Sequence, residues 1–436
     1  MKAAMRVTIV NTHDLVGGAE RCSYELASGL RQRGDQVSLI VGRRFGDDPF
    51  VVQMKYRWLD WRLRSFAYGW LGLTDTTIAA PLYECFRMPE LREADVYNIH
   101  NMHGAYWNFW TVPLLARRAP VVLTLHDEWL LTGDCAYTYS CERWRDHCGR
   151  CPQAREPESD DRVCIGGRDA TWLNLKLKRA MFRCAPGRSV VLVSPSRWLA
   201  DRAGEAPHLA RFERRVVPNG VDLEVFRPRE SAPARREAGL PPDAFLVLTF
   251  AANLFDRRKD LHRLLAATRS TRWPADARLV VAGRATPELE RELAGDPRIV
   301  VRDYVSGRED LARLLAAVDL VVVPSRAENL PYAALEAQAC GTPVLGARVG
   351  GIPETLEDGA SGWLFDPACE SEALAETIAA IRALPPDRRE AARARARANA
   401  TRRFGHVRFV EAYRELFAEL AEQPLPLPAR RNRAAT

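Results

Sequence analysis

The stretch LVVVPSRAENLPYAALEAQACGTPVLG, residues 320–346, holds an apolar run, a polar loop, a helix-like segment beginning at Pro331 and ending before Gly341, and a second apolar run. Short apolar runs flanking a helical segment read as a strand, a crossover helix and a parallel strand. Proline suits the first turn of a helix and glycine the position just past its end, so a helix is predicted over YAALEAQA. The same alternation recurs on the N-terminal side. It begins with RVTIVNT, AERCSYELASGLRQRG and QVSLIVG, continues through DVYNIHN, PVVLTLHD and SVVLVSPS, and restarts at AFLVLTFAAN, ARLVVAGRA and RIVVRDYV, with SGWLFDP as its last strand. Two such series predict an α/β protein of two doubly wound parallel-sheet domains.

Between the series, ERRVVPNGVDLEVFRPRESAPARREAGLPPD is rich in Pro, Arg and Gly and reads as a linker, with the domain boundary near Arg215. The segments ESEALAETIAAIRAL and HVRFVEAYRELFAELAEQ carry apolar residues at helical spacing. EAARARARANATRR reads as low-complexity, and the Pro/Arg-rich C-terminal tail as disordered.

Composition narrows the function classes. A chain of 436 residues exceeds what one core usually organises, and 47% hydrophobic with 27% charged residues is an ordinary globular balance. The net charge of +7, from 63 basic and 56 acidic residues spread along the chain, is too diffuse for a nucleic-acid groove. It suits anionic ligands or a membrane surface. No apolar run of membrane-spanning length and no leader pattern stand out, so a soluble, cytoplasmic protein is expected. Of ten cysteines, Cys135, Cys141, Cys148 and Cys151 are bunched as C-x5-C-x6-C-x2-C, which suits a tetrahedral structural zinc site. Reduced buried thiols are the alternative; disulfides are disfavoured in a reducing cytosol.

In open parallel sheets ligands bind beyond the carboxyl ends of the strands. After the first strand, Gly17 and Gly18 precede a helix and offer backbone N–H groups to an anion, with a plain turn as the alternative. After LVVVP, Glu328 sits in the loop and Glu336 in the helix. Acids complementing the helix dipole would explain either one alone, but explain the pair around free N–H donors less well. Arg257, Arg258 and Lys259 precede another helix and can neutralise a diphosphate, or form a solvated charge run. His100, His103 and His126 end strands of the first series. YRWLDWRLRSFAYGWLGL, residues 56–73, interleaves Arg with aromatics and fits an acceptor wall, anionic lipid contact or a packed crossover helix.

Together VGGAER, VVPNGVDLEVFRP, RRKDLHRLL, LVVAGR, the long segment around the quoted stretch to GGIPETLEDGASGWLF, and FGHVRFVEAYRELF resemble a bacterial retaining glycosyltransferase of family 4. The resemblance covers nearly the whole chain, and the four-cysteine pattern is similar to members acting on surface polysaccharides. It implies the GT-B architecture: residues 1–215 binding acceptor, with a four-cysteine loop over 126–152, residues 216–400 binding a nucleotide sugar, and residues 401–436 supplying a helix that crosses back and a disordered tail. It implies that Glu328 and Glu336 form the E-x7-E pair, the first bonding the donor sugar and the second the ribose. Asn329 and Leu330, with Pro331 behind them, would offer N–H groups to the diphosphate, and Arg258 and Lys259 would stabilise it as it leaves. His126 would stand near the reacting sugar and acceptor; Asn219 and Glu354 are further family positions.

The chain departs from the pattern at Ala252 and Asn253, where the family has Gly-Arg, and at ENLP, where many members have EGFG. The expected donor is UDP-, GDP- or another nucleotide-activated sugar, and the acceptor a glycan, a lipid-linked molecule or a small molecule. No Asp-x-Asp pair marks a metal-held diphosphate, so no catalytic metal is expected; basic side chains and helix N-terminal amides take that place. An epimerase or phosphorylase of the same fold, and a non-catalytic nucleotide-sugar binder, are the alternatives.

Overall fold

The computed structural model describes residues 4–15, 17–75, 78–154, 169–254, 256–293 and 295–424; the tail read as disordered lies outside them beyond residue 424. The first sheet contains β1 (Arg6–His13), β2 (Gln36–Arg43), β3 (Val51–Gln53), β4 (Val96–Ile99), β5 (Val121–Thr124), β6 (Val190–Ser194) and β7 (Glu213–Val216), ordered β3-β2-β1-β4-β5-β6-β7. The second contains β8 (Phe245–Asn253), β9 (Ala277–Arg284), β10 (Ile299–Arg302), β11 (Leu320–Val323), β12 (Val344–Ala347) and β13 (Gly362–Phe365), ordered β10-β9-β8-β11-β12-β13. Every pairing is parallel, as between Val7 of β1 and both Val37 of β2 and Val96 of β4. Each sheet reverses its winding once, between β1 and β4 and between β8 and β11, and crevices open beyond the carboxyl ends at such points.

Central strands β4, β5, β6, β11 and β12 are buried along their whole length, which is why they read as continuous apolar runs rather than alternating ones. The edge strand β7 is ERRV and fully exposed; charge on an edge blocks further strand addition. Having no apolar signal, it read as linker, and Arg215 lies inside it. The arginine-rich segment that read as low-complexity belongs to a regular helix, Pro386–Arg403. Ala392, Ala396 and Ala400 are buried at four-residue spacing, and Arg397 donates to the carbonyls of Phe226 (2.8 Å) and Ala339 (2.7 Å).

The last helix, His406–Ala421, packs under the first sheet, where Val410, Tyr413 and Phe417 share a core with Ile9, Leu26 and Val122. The chain passes between the domains twice, side by side: Val221 donates to the Phe404 carbonyl (2.7 Å) and His406 donates to that of Val221 (2.9 Å). Among the described residues no helix is long and apolar enough to cross a membrane.

Candidate active site

The loop after β11 packs its backbone against two glycines: Gly351 donates its N–H to the Glu328 carbonyl (3.0 Å), and a Cβ at Gly350 would stand 1.9 Å from that same oxygen. This close approach fixes the loop that carries Glu328, Asn329 and Leu330. The helix covers Tyr332–Ala339, the span predicted from YAALEAQA, with Pro331 as its N-cap rather than in its first turn. Among the described residues the N–H groups of Asn329 and Leu330 have no hydrogen-bond acceptor. They stand just ahead of a helix N-terminus, where partial positive charge gathers.

Glu328 is buried at 6% exposure and accepts hydrogen bonds from Arg258 Nη1 (2.7 Å), Lys259 Nζ and Ser325 Oγ (3.3 Å). Burial alone would raise its pKa, but the two cations outweigh burial and hold the carboxyl down at about 2. Burial lowers the Lys259 pKa, with Glu328 opposing. Arg258 is further pinned by Asp256 (3.1 Å) and lies over the Tyr137 ring from the first domain, 5.1 Å from its centroid. Arg257 is exposed and Asn253 half-buried at the end of β8, so Arg258 is the guanidinium of this group that meets Glu328. A small cavity at the ends of β8 and β11, the reversal point of the second sheet, is lined by Lys259, Ser325, Glu328 and Pro331.

The second acid belongs to a different contact. Glu336, 2% exposed, accepts a hydrogen bond from Arg21 on the first-domain helix Gly18–Gln32. Arg21 also bonds Glu25 (2.9 Å) and stacks on Tyr332, 5.0 Å from its ring centroid. Burial raises the Glu336 pKa, against the pull of Arg21. Gly17 caps that helix at φ 108°, and a Cβ at Gly18 would stand 3.6 Å from Tyr332. The N-termini of two helices, one from each domain, therefore approach each other across the cleft, and both favour an anion.

Asn329 and Asn219 lock the domains rather than face solvent. The Asn329 amide donates to the carbonyls of Leu125 and His126 (both 3.2 Å) and accepts from Ser196; that of Asn219 donates to Leu330 (3.2 Å). Glu354 accepts from the N–H groups of Arg197 (2.8 Å) and Trp198 (2.7 Å), capping the first-domain helix Arg197–Glu205 from the other domain.

His126 lies at the end of a hydrogen-bonded relay. The Asn98 amide donates to Val122 and Thr124, so its oxygen accepts from His100 Nε2 (2.8 Å). With its proton there, neutral His100 accepts at Nδ1 from His126 Nε2 (2.8 Å), which assigns the His126 lone pair to Nδ1. Burial lowers the His126 pKa to about 4 and holds that of His100 well below its ordinary value. His126 thus offers a neutral, acceptor-only nitrogen. Cys22, His100 and His126 bring donor atoms within 4.8 Å of one another, but both nitrogens of His100 are already in hydrogen bonds.

His103 pairs with Asp127 (2.8 Å), whose other oxygen accepts from the Trp129 N–H (2.8 Å). Beside them burial raises Glu20 to about 7, against a backbone hydrogen bond and the His103 charge. Glu20, Arg21 and Asp127 were all missed by the sequence reading, although GGAER and LTLHDEW contain them next to residues it chose.

Cys135, Cys141, Cys148 and Cys151 line one small cavity with Gly133 and Trp144. The Gly133 N–H donates to Cys148 Sγ (3.2 Å), and the Cys151 N–H to Asp169 (2.7 Å). None of the four is in a disulfide among the described residues, and burial raises the Cys148 thiol to about 11 and pushes Cys135 well above its ordinary value. Four sulfurs are a donor set for a soft cation, but among the described residues the three ligand-type atoms that lie within 4.8 Å of one another are those of Cys22, His100 and His126, not of these cysteines.

Comparison with known proteins places this geometry in a family. A model described as Glycosyltransferase Family 4 matches residues 16–225, and one described as Glycosyl transferases group 1 matches residues 246–383. The chain belongs to the family 4, group 1 glycosyltransferases. A curated relative, the D-inositol 3-phosphate glycosyltransferase of Segniliparus rotundus, is 36% identical over 222 residues, 48% of this chain and 49% of its own length. The chain thus spans about half the length of the curated relatives it matches. Among solved structures, the sucrose-phosphate synthase of Thermosynechococcus elongatus aligns with a TM-score of 0.68 at 20% identity, over 95% of this chain and 99% of its own. Anabaena HepE, solved with UDP, aligns with a TM-score of 0.66 at 21% identity, over 95% of this chain and all of its own. The fold is GT-B: two parallel-sheet α/β domains facing a cleft.

Proposed function

We propose that the protein transfers a sugar from a nucleotide-sugar donor to an acceptor hydroxyl with retention of configuration. The observation that carries this reading is the buried Glu328 carboxylate, clamped by Arg258 and Lys259 beside the unbonded N–H groups of Asn329 and Leu330. The donor diphosphate would lie on those N–H groups, between the helix N-termini at Tyr332 and Gly18. Glu328 would turn to the sugar hydroxyls and release Arg258 and Lys259 to the leaving phosphate oxygens, where preorganised cations lower the barrier most. Glu336 would take the ribose hydroxyls once Arg21 gives way.

The bond between the anomeric carbon and the diphosphate oxygen breaks while the bond to the acceptor oxygen forms on the same face. The acceptor proton passes to the departing oxygen. His126 Nδ1, neutral at pH 7, would accept a hydrogen bond from the acceptor hydroxyl and orient it. Two cations and the helix amides supply the charge that this step needs, so catalysis without a metal is part of the proposal. The four cysteines would hold a structural zinc that fixes the loop between His126 and Cys151; elemental analysis finding no zinc, with all four thiols titrating as free, would sink that part. A cytoplasmic setting, where thiols stay reduced, is part of the same reading.

HepE has been solved with UDP and with UDP-glucose, which makes UDP sugars the first donors to try. The name of the Segniliparus relative makes D-inositol 3-phosphate the first small-molecule acceptor. A binder without turnover is the second reading, favoured by Asn253 where the family carries arginine. The test is donor turnover after a thermal-shift screen of UDP, GDP, ADP and dTDP sugars. Glu328→Ala and Lys259→Ala should each reduce transfer at least a hundredfold; transfer surviving both would refute the assigned site.

A further inference from the structure

The helix Trp58–Leu71 buries only Asp60 and Ala67. Leu59, Leu63, Phe66 and Trp70 follow at intervals of four, three and four, the spacing of one helical stripe, and are 50%, 46%, 57% and 62% exposed. Such a stripe ordinarily faces a core. Here it faces outward, with Trp58 (67%), Trp61 (45%) and Leu71 (48%) exposed beside it. A contiguous apolar surface of this kind marks an interaction site.

Within the segment 55–73 the outward-facing charges are of one sign. Lys55, Arg57 and Arg62 are exposed and Arg64 half-exposed, with Arg62 and Arg64 stacked on Trp58 and Trp61 at 5.2 Å from the ring centroids. The one acid between residues 55 and 73, Asp60, is turned inward, where it accepts from the N–H groups of Arg57 (2.9 Å), Ala79 (3.1 Å) and Ala80 (3.2 Å). The C-terminal end is anchored by Asn174, which donates to the Gly72 carbonyl (2.9 Å). Two residues from that anchor, Trp172 is 51% exposed beside Arg143, Arg150 and Lys176, and among the described residues no carboxylate pairs with these three cations. Apolar stripe, flanking tryptophans and a group of cations therefore adjoin on one domain.

We propose that this helix docks the protein on an anionic lipid bilayer. Leu59, Leu63 and Phe66 enter the boundary between headgroups and acyl chains, the tryptophans lie at headgroup level, and Lys55, Arg57, Arg62 and Arg64 meet lipid phosphates. Interfacial helices bind through this combination of apolar burial and attraction to anionic lipid. Asp60 and Asn174 keep the helix in place, so docking holds the first domain at the membrane surface. The proposal goes beyond the transfer reaction and does not rest on it.

The test uses the full chain and vesicle flotation with phosphatidylcholine alone or mixed with phosphatidylglycerol. The protein should float with the mixed vesicles at low salt, with at least tenfold weaker partition at high salt and on neutral vesicles. Leu63→Glu with Phe66→Glu should lower partition at least tenfold while leaving the melting temperature unchanged, because neither side chain is buried. Arg62→Gln with Arg64→Gln gives an independent variant and should weaken binding to anionic vesicles alone. Equal partition of wild type and both variants overturns the proposal, as does equal binding to neutral vesicles. A dimer in light scattering that Phe66→Glu dissociates, without vesicle binding, assigns the face to a second copy and overturns it too, and so does a monomer that ignores vesicles.

Discussion

Glu328→Gln separates charge from shape at the centre of the site. The amide fills the same space and can still accept one hydrogen bond, but it no longer neutralises Arg258 and Lys259, both half-buried against it. In the wild type the carboxyl is held at about 2 against an ordinary 4.5. A depressed carboxyl contributes stability above its unfolded pKa and loses it as pH falls through its folded pKa. At 1.36 kcal/mol per unit, that contribution is about 3 kcal/mol, present above pH ~4.5 and gone near pH ~2. Breaking a buried ion pair from one side costs a similar ~3–5 kcal/mol. The melting temperature of Glu328→Gln at neutral pH should therefore fall by several degrees, and the gap to wild type should close as pH is lowered towards ~2.5. Differential scanning fluorimetry across that range reads both quantities. A variant that melts with the wild type at pH 7, or a gap independent of pH, would refute the ion-pair reasoning.

Lys259→Ala removes a cation aimed at the leaving group and should lower kcat by about a hundred- to a thousandfold, as loss of one preorganised donor does elsewhere; single-turnover kinetics with saturating donor would show it. Glu20→Gln should be the more stable protein at pH 8, by roughly 3 kcal/mol, because a carboxyl raised from 4.5 to about 7 loses stability as pH rises through that window, and urea melts at pH 5 and pH 8 would read the difference. Burial holds His126 near 4, so wild-type turnover between pH 6 and 8 should show no limb from this imidazole; a limb that vanishes in His126→Gln would contradict the neutral relay. Glu354→Ala uncaps a helix of the opposite domain and should cost about 1 kcal/mol, checked by denaturant unfolding.

Both sheets were legible because their central strands are buried on two faces and appear as apolar runs such as VVLT and LVVV. The edge strand ERRV was not, since an edge strand needs backbone partners on one side only and its side chains stay in water. The helix Pro386–Arg403 hid for the opposite reason: its buried stripe is alanine, too small to stand out among arginines. At the site, Glu328, Arg258 and Lys259 meet, residues that the family resemblance assigned to one donor and that charge and spacing alone left open as a solvated run. The Arg21 contact to Glu336 could not be read, because it joins residues 315 positions apart in different domains. The tautomer of His126 depends on Asn98 fixing the proton of His100, a chain of three residues on β4, the loop after it and the loop after β5.

Titration of the nucleotide sugar that most stabilises the wild type, together with its free nucleotide diphosphate, into wild type, Glu328→Ala and Glu336→Ala tests most directly whether the two acids hold two ends of one donor. Glu336→Ala should weaken both ligands alike, by at least tenfold. Glu328→Ala should weaken the sugar nucleotide relative to the diphosphate, which keeps or gains affinity as Arg258 and Lys259 are freed. Unchanged diphosphate affinity in Glu336→Ala, or equal losses for both ligands in Glu328→Ala, would contradict the account.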